Sequence, residues 1–113
     1  MGKIEFKKVD VDFRVVKSTN DKYLLLSLFI EQYRFPDNIQ EIIDMLKSVK
    51  NGSKTWKEII DPWLFLQTND AGDFNCDKET AYFIADNSTH FQNLEMPLKE
   101  LIDLLEGWKV FMS

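Results

Sequence analysis

Asp73, Asn75, Asp77 and Glu79 place four oxygen-bearing side chains at alternate positions of one short stretch. Alternating oxygen ligands suggest a calcium loop, but that loop also needs a glycine at its sixth position and an acid at its twelfth. Those positions hold Lys78 and Ile84, so the EF-hand reading fails. The other reading is a strand. Its two-residue period puts Asp73, Asn75 and Asp77 on one face and turns Phe74 and Cys76 inward. With Asp70 nearby this makes a row of carboxylates, which is either a solvated strand face or a docking surface for lysines and arginines. An exposed tryptophan beside such a row anchors a protein partner well. The predicted partner-binding set is therefore Trp63, Asp70, Asp73, Asn75, Asp77 and Glu79.

Catalytic constellations are harder to find. Nineteen acids permit many carboxylate pairs, and nothing in the sequence marks one pair as buried. His90 is the sole histidine, so a metal site built on two histidines is impossible and a Cys/His site would need Cys76 beside it. Ser88 and His90 are too close in sequence to count as a dyad without geometry. Cys76 reads as a small buried apolar residue rather than a nucleophile. Gly2, Gly52, Gly72 and Gly107 are scattered and build no phosphate-cradling loop. A non-enzymatic protein without cofactor or metal is the expectation.

The chain of 113 residues is expected to form one domain, residues 1–113, with a single core. No apolar run reaches the roughly 18 residues that suggest a membrane-spanning helix. The N-terminal MGKIEFKKVDVDF is charged and alternating, unlike a secretory signal, and Cys76 has no partner for an internal disulfide. A cytoplasmic protein is expected. Charge is uneven: residues 1–60 carry eleven Lys/Arg against nine Asp/Glu, a net of +2, whereas residues 61–113 carry three against ten, a net of −7. A pI near 4.8 argues against nucleic-acid binding, which needs clustered positive charge, and suits a basic partner.

The elements that must position the acidic row follow from periodicity. Ile4 and Phe6, then Val9, Val11, Phe13 and Val15, alternate with charged residues, and the phase slip at Lys7-Lys8 predicts a bulge or bend in one opening strand. Lys17 to Asp21 reads as a polar turn. Tyr23 to Tyr33, YLLLSLFIEQY, fits either a buried strand or a helical face, and a strand hairpinned to the first is the reading adopted. Ile39, Ile42, Ile43, Leu46 and Val49 form one stripe of a helix over Asp37–Lys50, closed by Asn51-Gly52. Trp56, Ile59 and Ile60 are expected to cover a core edge. Asp61 to Asp86 reads as a three-stranded meander: Trp63 to Thr68, Asp73 to Asp77 and Thr80 to Ala85, with turns at Asn69–Gly72 and Lys78-Glu79. HFQNLEM leads into a last helix, Pro97–Trp108. The predicted fold is α+β, a mainly antiparallel sheet with two amphipathic helices in the order ββ-α-βββ-α.

The meander running into ADNSTHFQNLEMPLKELIDLLEGW, in a small acidic α+β domain, resembles the immunity proteins of bacterial contact-dependent growth-inhibition and other polymorphic toxin systems. The resemblance is one of architecture across the chain and carries over no individual residue. It implies a cytosolic protein that binds and blocks a cognate toxin, such as a nuclease with a basic cleft. A monomer or weak homodimer with no nucleic-acid or membrane partner is expected. Other classes compete with it. One is a small enzyme or ligand- or metal-binding domain using the acids near Asp70–Glu79, marked by converging carboxylates of raised pKa. Another is a homodimerising accessory domain.

Overall fold

The computed structural model describes residues 2–11, 13–59, 72–85 and 91–113. Two strands, β1 (Ile4–Asp10) and β2 (Phe13–Ser18), pair antiparallel as a hairpin. A 3-10 turn at Asp21–Tyr23 leads into α1 (Leu24–Glu31), followed by α2 (Pro36–Lys50) and the single turn α3 (Trp56–Ile59). A second antiparallel sheet contains β3 (Gly72–Cys76), β4 (Thr80–Ala85) and β5 (Leu94–Pro97) in that spatial order. The chain closes with α4 (Leu98–Met112). The protein is thus α+β with antiparallel pairing, in the order ββ-α-βββ-α when the run of helices is taken as one segment. No helix among the described residues is long and apolar enough to cross a membrane.

The segments behind that order differ from expectation in three places. The opening alternating run is two strands rather than one. The phase slip is real and falls one residue later than predicted: the register shifts between Lys8 and Asp10, leaving Val9 as the extra residue. Tyr23 to Tyr33 is not a strand but holds α1. Leu25, Leu26, Phe29 and Ile30 are its buried apolar residues, with Tyr33 buried just beyond its end, a helical spacing hidden because Leu24 and Leu28 are apolar too. The side chain of Asn20 accepts from the Lys22 N–H and starts the turn before it. β2, not the Tyr23–Tyr33 segment, is the hairpin partner of β1. Finally, Leu94 to Pro97 is strand β5 rather than an approach to the last helix, and that helix runs on through Gly107 to Met112. The predicted strand Trp63 to Thr68 lies outside the described residues.

α2 matches its predicted stripe: Ile39, Ile42, Ile43, Leu46 and Val49 are all buried. Gly52 ends it at φ 84°, a left-handed conformation glycine takes at little cost, with its N–H donating to the Val49 carbonyl. Leu98, Leu101, Ile102, Leu105 and Trp108 form the matching stripe of α4, and α2 packs on α4. Each fully buried side chain of this size contributes about 1.5–3 kcal/mol.

α1 joins the two sheets. On one side it packs on β2; on the other Phe29 stacks on Phe74 with centroids 4.4 Å apart and meets Phe83 edge-on at 5.4 Å. Trp56 of α3 closes on Phe74 at 5.0 Å, covering a core edge as expected. The hairpin is held on α4, where Phe6 lies 5.2 Å from the Trp108 ring and Lys3 donates to Glu100 at 2.7 Å. A side chain at Gly107 would have its Cβ 3.3 Å from Phe6, so the glycine admits the ring while the helix continues past it.

Candidate functional site: the outer face of the three-stranded sheet

β3, β4 and β5 sort their side chains by strict alternation. Phe74, Cys76, Ala81, Phe83 and Met96 are buried on the inner face. Asp73, Asn75, Ile84 and Glu95 are exposed on the outer face, with Tyr82 half-buried among them. The register sets Asp73 opposite Ile84, and Asn75 opposite Tyr82, which in turn faces Glu95. Cross-strand neighbours on one face lie about 4.5–5.5 Å apart at Cβ, so these residues form one surface. No lysine or arginine occurs in any of the three strands. Lys78, in the β3–β4 turn, reaches away to the end of α2, where its Cε and Nζ close on Gly52.

Gly72 fixes the start of this surface. A Cβ there would collide with the Ile84 carbonyl, so β3 approaches β4 closely at that point only because the residue is glycine. Asn93 supports the same end, accepting from the N–H of Ala85, the register partner of Gly72, at 2.7 Å.

Asp77 differs from the other acids in its partners. One carboxylate oxygen accepts from the N–H groups of Glu79 (2.9 Å) and Thr80 (2.8 Å), and the other accepts from the Tyr82 hydroxyl (3.0 Å). The two backbone bonds, then the Tyr82 bond, hold the Asp77 carboxyl below the usual carboxylate range, and the same bond raises the Tyr82 hydroxyl. Asp77 therefore organises the turn, while Asp73 and Glu95 keep their carboxylates for solvent or a partner. Glu79 is exposed at the turn.

Of the predicted set, Asp73, Asn75, Asp77 and Glu79 come together on or beside the outer face. Trp63 and Asp70 lie outside the described residues, as does the sole histidine, His90. Ile84, Tyr82 and Glu95 belong to the same surface and were missed. Their signal was present: Ile84 and Glu95 sit at outward positions in TAYFIA and LEMP, but the second required recognising β5. Ile84 is 47% exposed, an apolar residue on the central strand of a polar face.

Two observations among the described residues bear on the alternative chemistries. Burial, followed by the charge of Asp77, pushes the Cys76 thiol up to about 12, so it is not a thiolate nucleophile at neutral pH. No three of the described His, Cys, Asp and Glu side chains are grouped to hold a metal ion. An open depression of about 720 Å³ near the N-terminus is lined by Lys3, Glu5, Lys22 and Tyr23, away from the predicted row. Comparison with protein-family models, with curated proteins and with solved structures found no match.

Proposed function

We propose that this chain is a non-enzymatic inhibitor that neutralises a basic protein toxin by covering its cationic cleft with the outer face of the β3–β4–β5 sheet. In this reading it is a cytoplasmic immunity protein, as its architectural resemblance implies, and the toxin is a nuclease-like polypeptide. The observation that carries the proposal is the composition of that face: Asp73, Asn75 and Glu95 surround Ile84 and Tyr82, with no cation on the strands. An apolar and aromatic centre with an acidic rim matches the anatomy of a protein interface, and the acids steer a basic partner while the centre supplies the burial.

Affinity capture from the native host, with the wild-type chain as bait, tests this directly. The expected result is a basic polypeptide that arrests growth when expressed alone and is silenced by this chain. A partner that is acidic, or one bound equally well by a chain carrying Asp73→Lys and Glu95→Lys, would contradict the proposal.

A further inference from the structure

The β1–β2 hairpin has two outer edges, and among the described residues only the β2 edge meets hydrogen-bonding side chains. Antiparallel strands alternate between pairs that exchange hydrogen bonds and pairs whose backbone groups point outward. The Thr19 N–H donates to the Lys3 carbonyl at 3.0 Å, which fixes Lys3–Thr19, Glu5–Lys17 and Lys7–Val15 as the bonded pairs. On β2 the outward groups belong to Arg14, Val16 and Ser18, and two of them have side-chain partners: Glu31 accepts from the Val16 N–H at 2.8 Å, and Arg34 donates to the Arg14 carbonyl at 2.7 Å. On β1 the outward groups belong to Ile4, Phe6 and Lys8, and no described residue pairs with them.

We infer that a second copy of this chain pairs with that edge, β1 against β1 in antiparallel fashion, with the two-fold axis at Phe6. In this register Ile4 faces the partner's Lys8, and Phe6 faces its own copy, each pair exchanging both backbone bonds. Glu5 then stands opposite the partner's Lys7, twice by symmetry. Both are exposed on the solvent face of the strand, and both fall in non-bonded pairs, where side chains lie closest. The charges select the register. Moving the axis by one residue sets Glu5 against its own copy, or Lys7 against its own copy. Lysines alone would blunt an edge strand; with Glu5 two residues earlier, they make it self-complementary in one register.

The same features limit assembly to a dimer. The bulge at Val9 stops the ladder after Lys8. Glu31 and Arg34 occupy backbone groups on the far edge of β2 and α1 packs on that strand, which opposes growth of the four-stranded sheet into a fibre. The surface shares no residue with the β3–β4–β5 face, so the two proposals stand or fall separately.

Sedimentation equilibrium on the full chain, over a concentration series, reads the association. The wild type is expected to show a reversible monomer–dimer equilibrium. Glu5→Lys and Lys7→Glu should each raise the dissociation constant about tenfold or more, since each sets like charges opposite one another twice. Mixing these two variants should yield a heterodimer tighter than either homodimer, because each lysine then meets a glutamate. Glu5→Gln and Lys7→Gln give the milder form of the test if a reversal disturbs the melting curve, and should also weaken the dimer. A wild type that stays monomeric throughout, single variants that dimerise as tightly as wild type, or a mixture without preferential heterodimer would overturn the inference.

Discussion

The Tyr82 hydroxyl donates to the Asp77 carboxylate at 3.0 Å, tying the centre of β4 to the turn that precedes it. Asp77 uses its other oxygen on the N–H groups of Glu79 and Thr80, so one side chain satisfies two backbone donors and one phenol. An acid that looks from the sequence like part of a docking row is thereby the residue that shapes the row.

Replacing Asp77 with alanine or lysine should lower the melting temperature, while Asp73→Lys should leave it within about a degree or two, as is usual for an isolated exposed charge. The pH dependence follows. Because folding depresses the Asp77 pKa, its contribution is fully present above the unfolded value of about 3.9 and is lost as pH falls through the folded value. Melting curves from pH 6 down to about pH 2 should show a smaller acid-induced loss in Asp77→Ala than in wild type.

At the other end of the core, the Trp108 indole N–H donates to the Tyr33 carbonyl at 2.8 Å in a fully buried contact. It fastens the end of α1 to α4. Trp108→Phe removes that bond and leaves space beside Phe6 and Phe111, and should cost about 2–4 kcal/mol in urea unfolding. Gly107→Val should also destabilise, because its branched side chain would press on the Phe6 ring.

Cys76 is the only cysteine of the chain and is buried. Its reaction with a thiol reagent such as dithiobisnitrobenzoate should be slow in the native protein at pH 8 and rapid in denaturant. Cys76→Ser should leave neutralisation of the partner intact. Fast native labelling would mean that this inner sheet face opens readily.

Much of the fold was legible where period and punctuation agreed. The α2 stripe and its Gly52 stop, the alternation of β3 and the limits of β4 could all be read directly. The errors share a physical cause. In Leu24 to Glu31 almost every residue is apolar, so neither a period of two nor one of 3.6 stands out, and the choice depended on what the neighbours left unpaired. β5 is short, and its inward Leu94 and Met96 with outward Glu95 are too few to establish alternation. The acidic face was half legible for the same reason: β3 announced it, whereas Glu95 joins only through the β4–β5 register. The role of Asp77 depends on hydrogen-bond geometry that spacing does not encode.

The central claim is that Asp73 and Glu95, around Ile84 and Tyr82, meet a basic partner. The most direct measurement is calorimetric affinity for the captured partner at low and high salt, for wild type and for the Asp73→Lys/Glu95→Lys chain, alongside melting curves. The expected outcome is weaker binding as salt rises and a loss of at least about tenfold in the double variant, with an unchanged melting temperature. Affinity indifferent both to salt and to the two reversals would contradict the account.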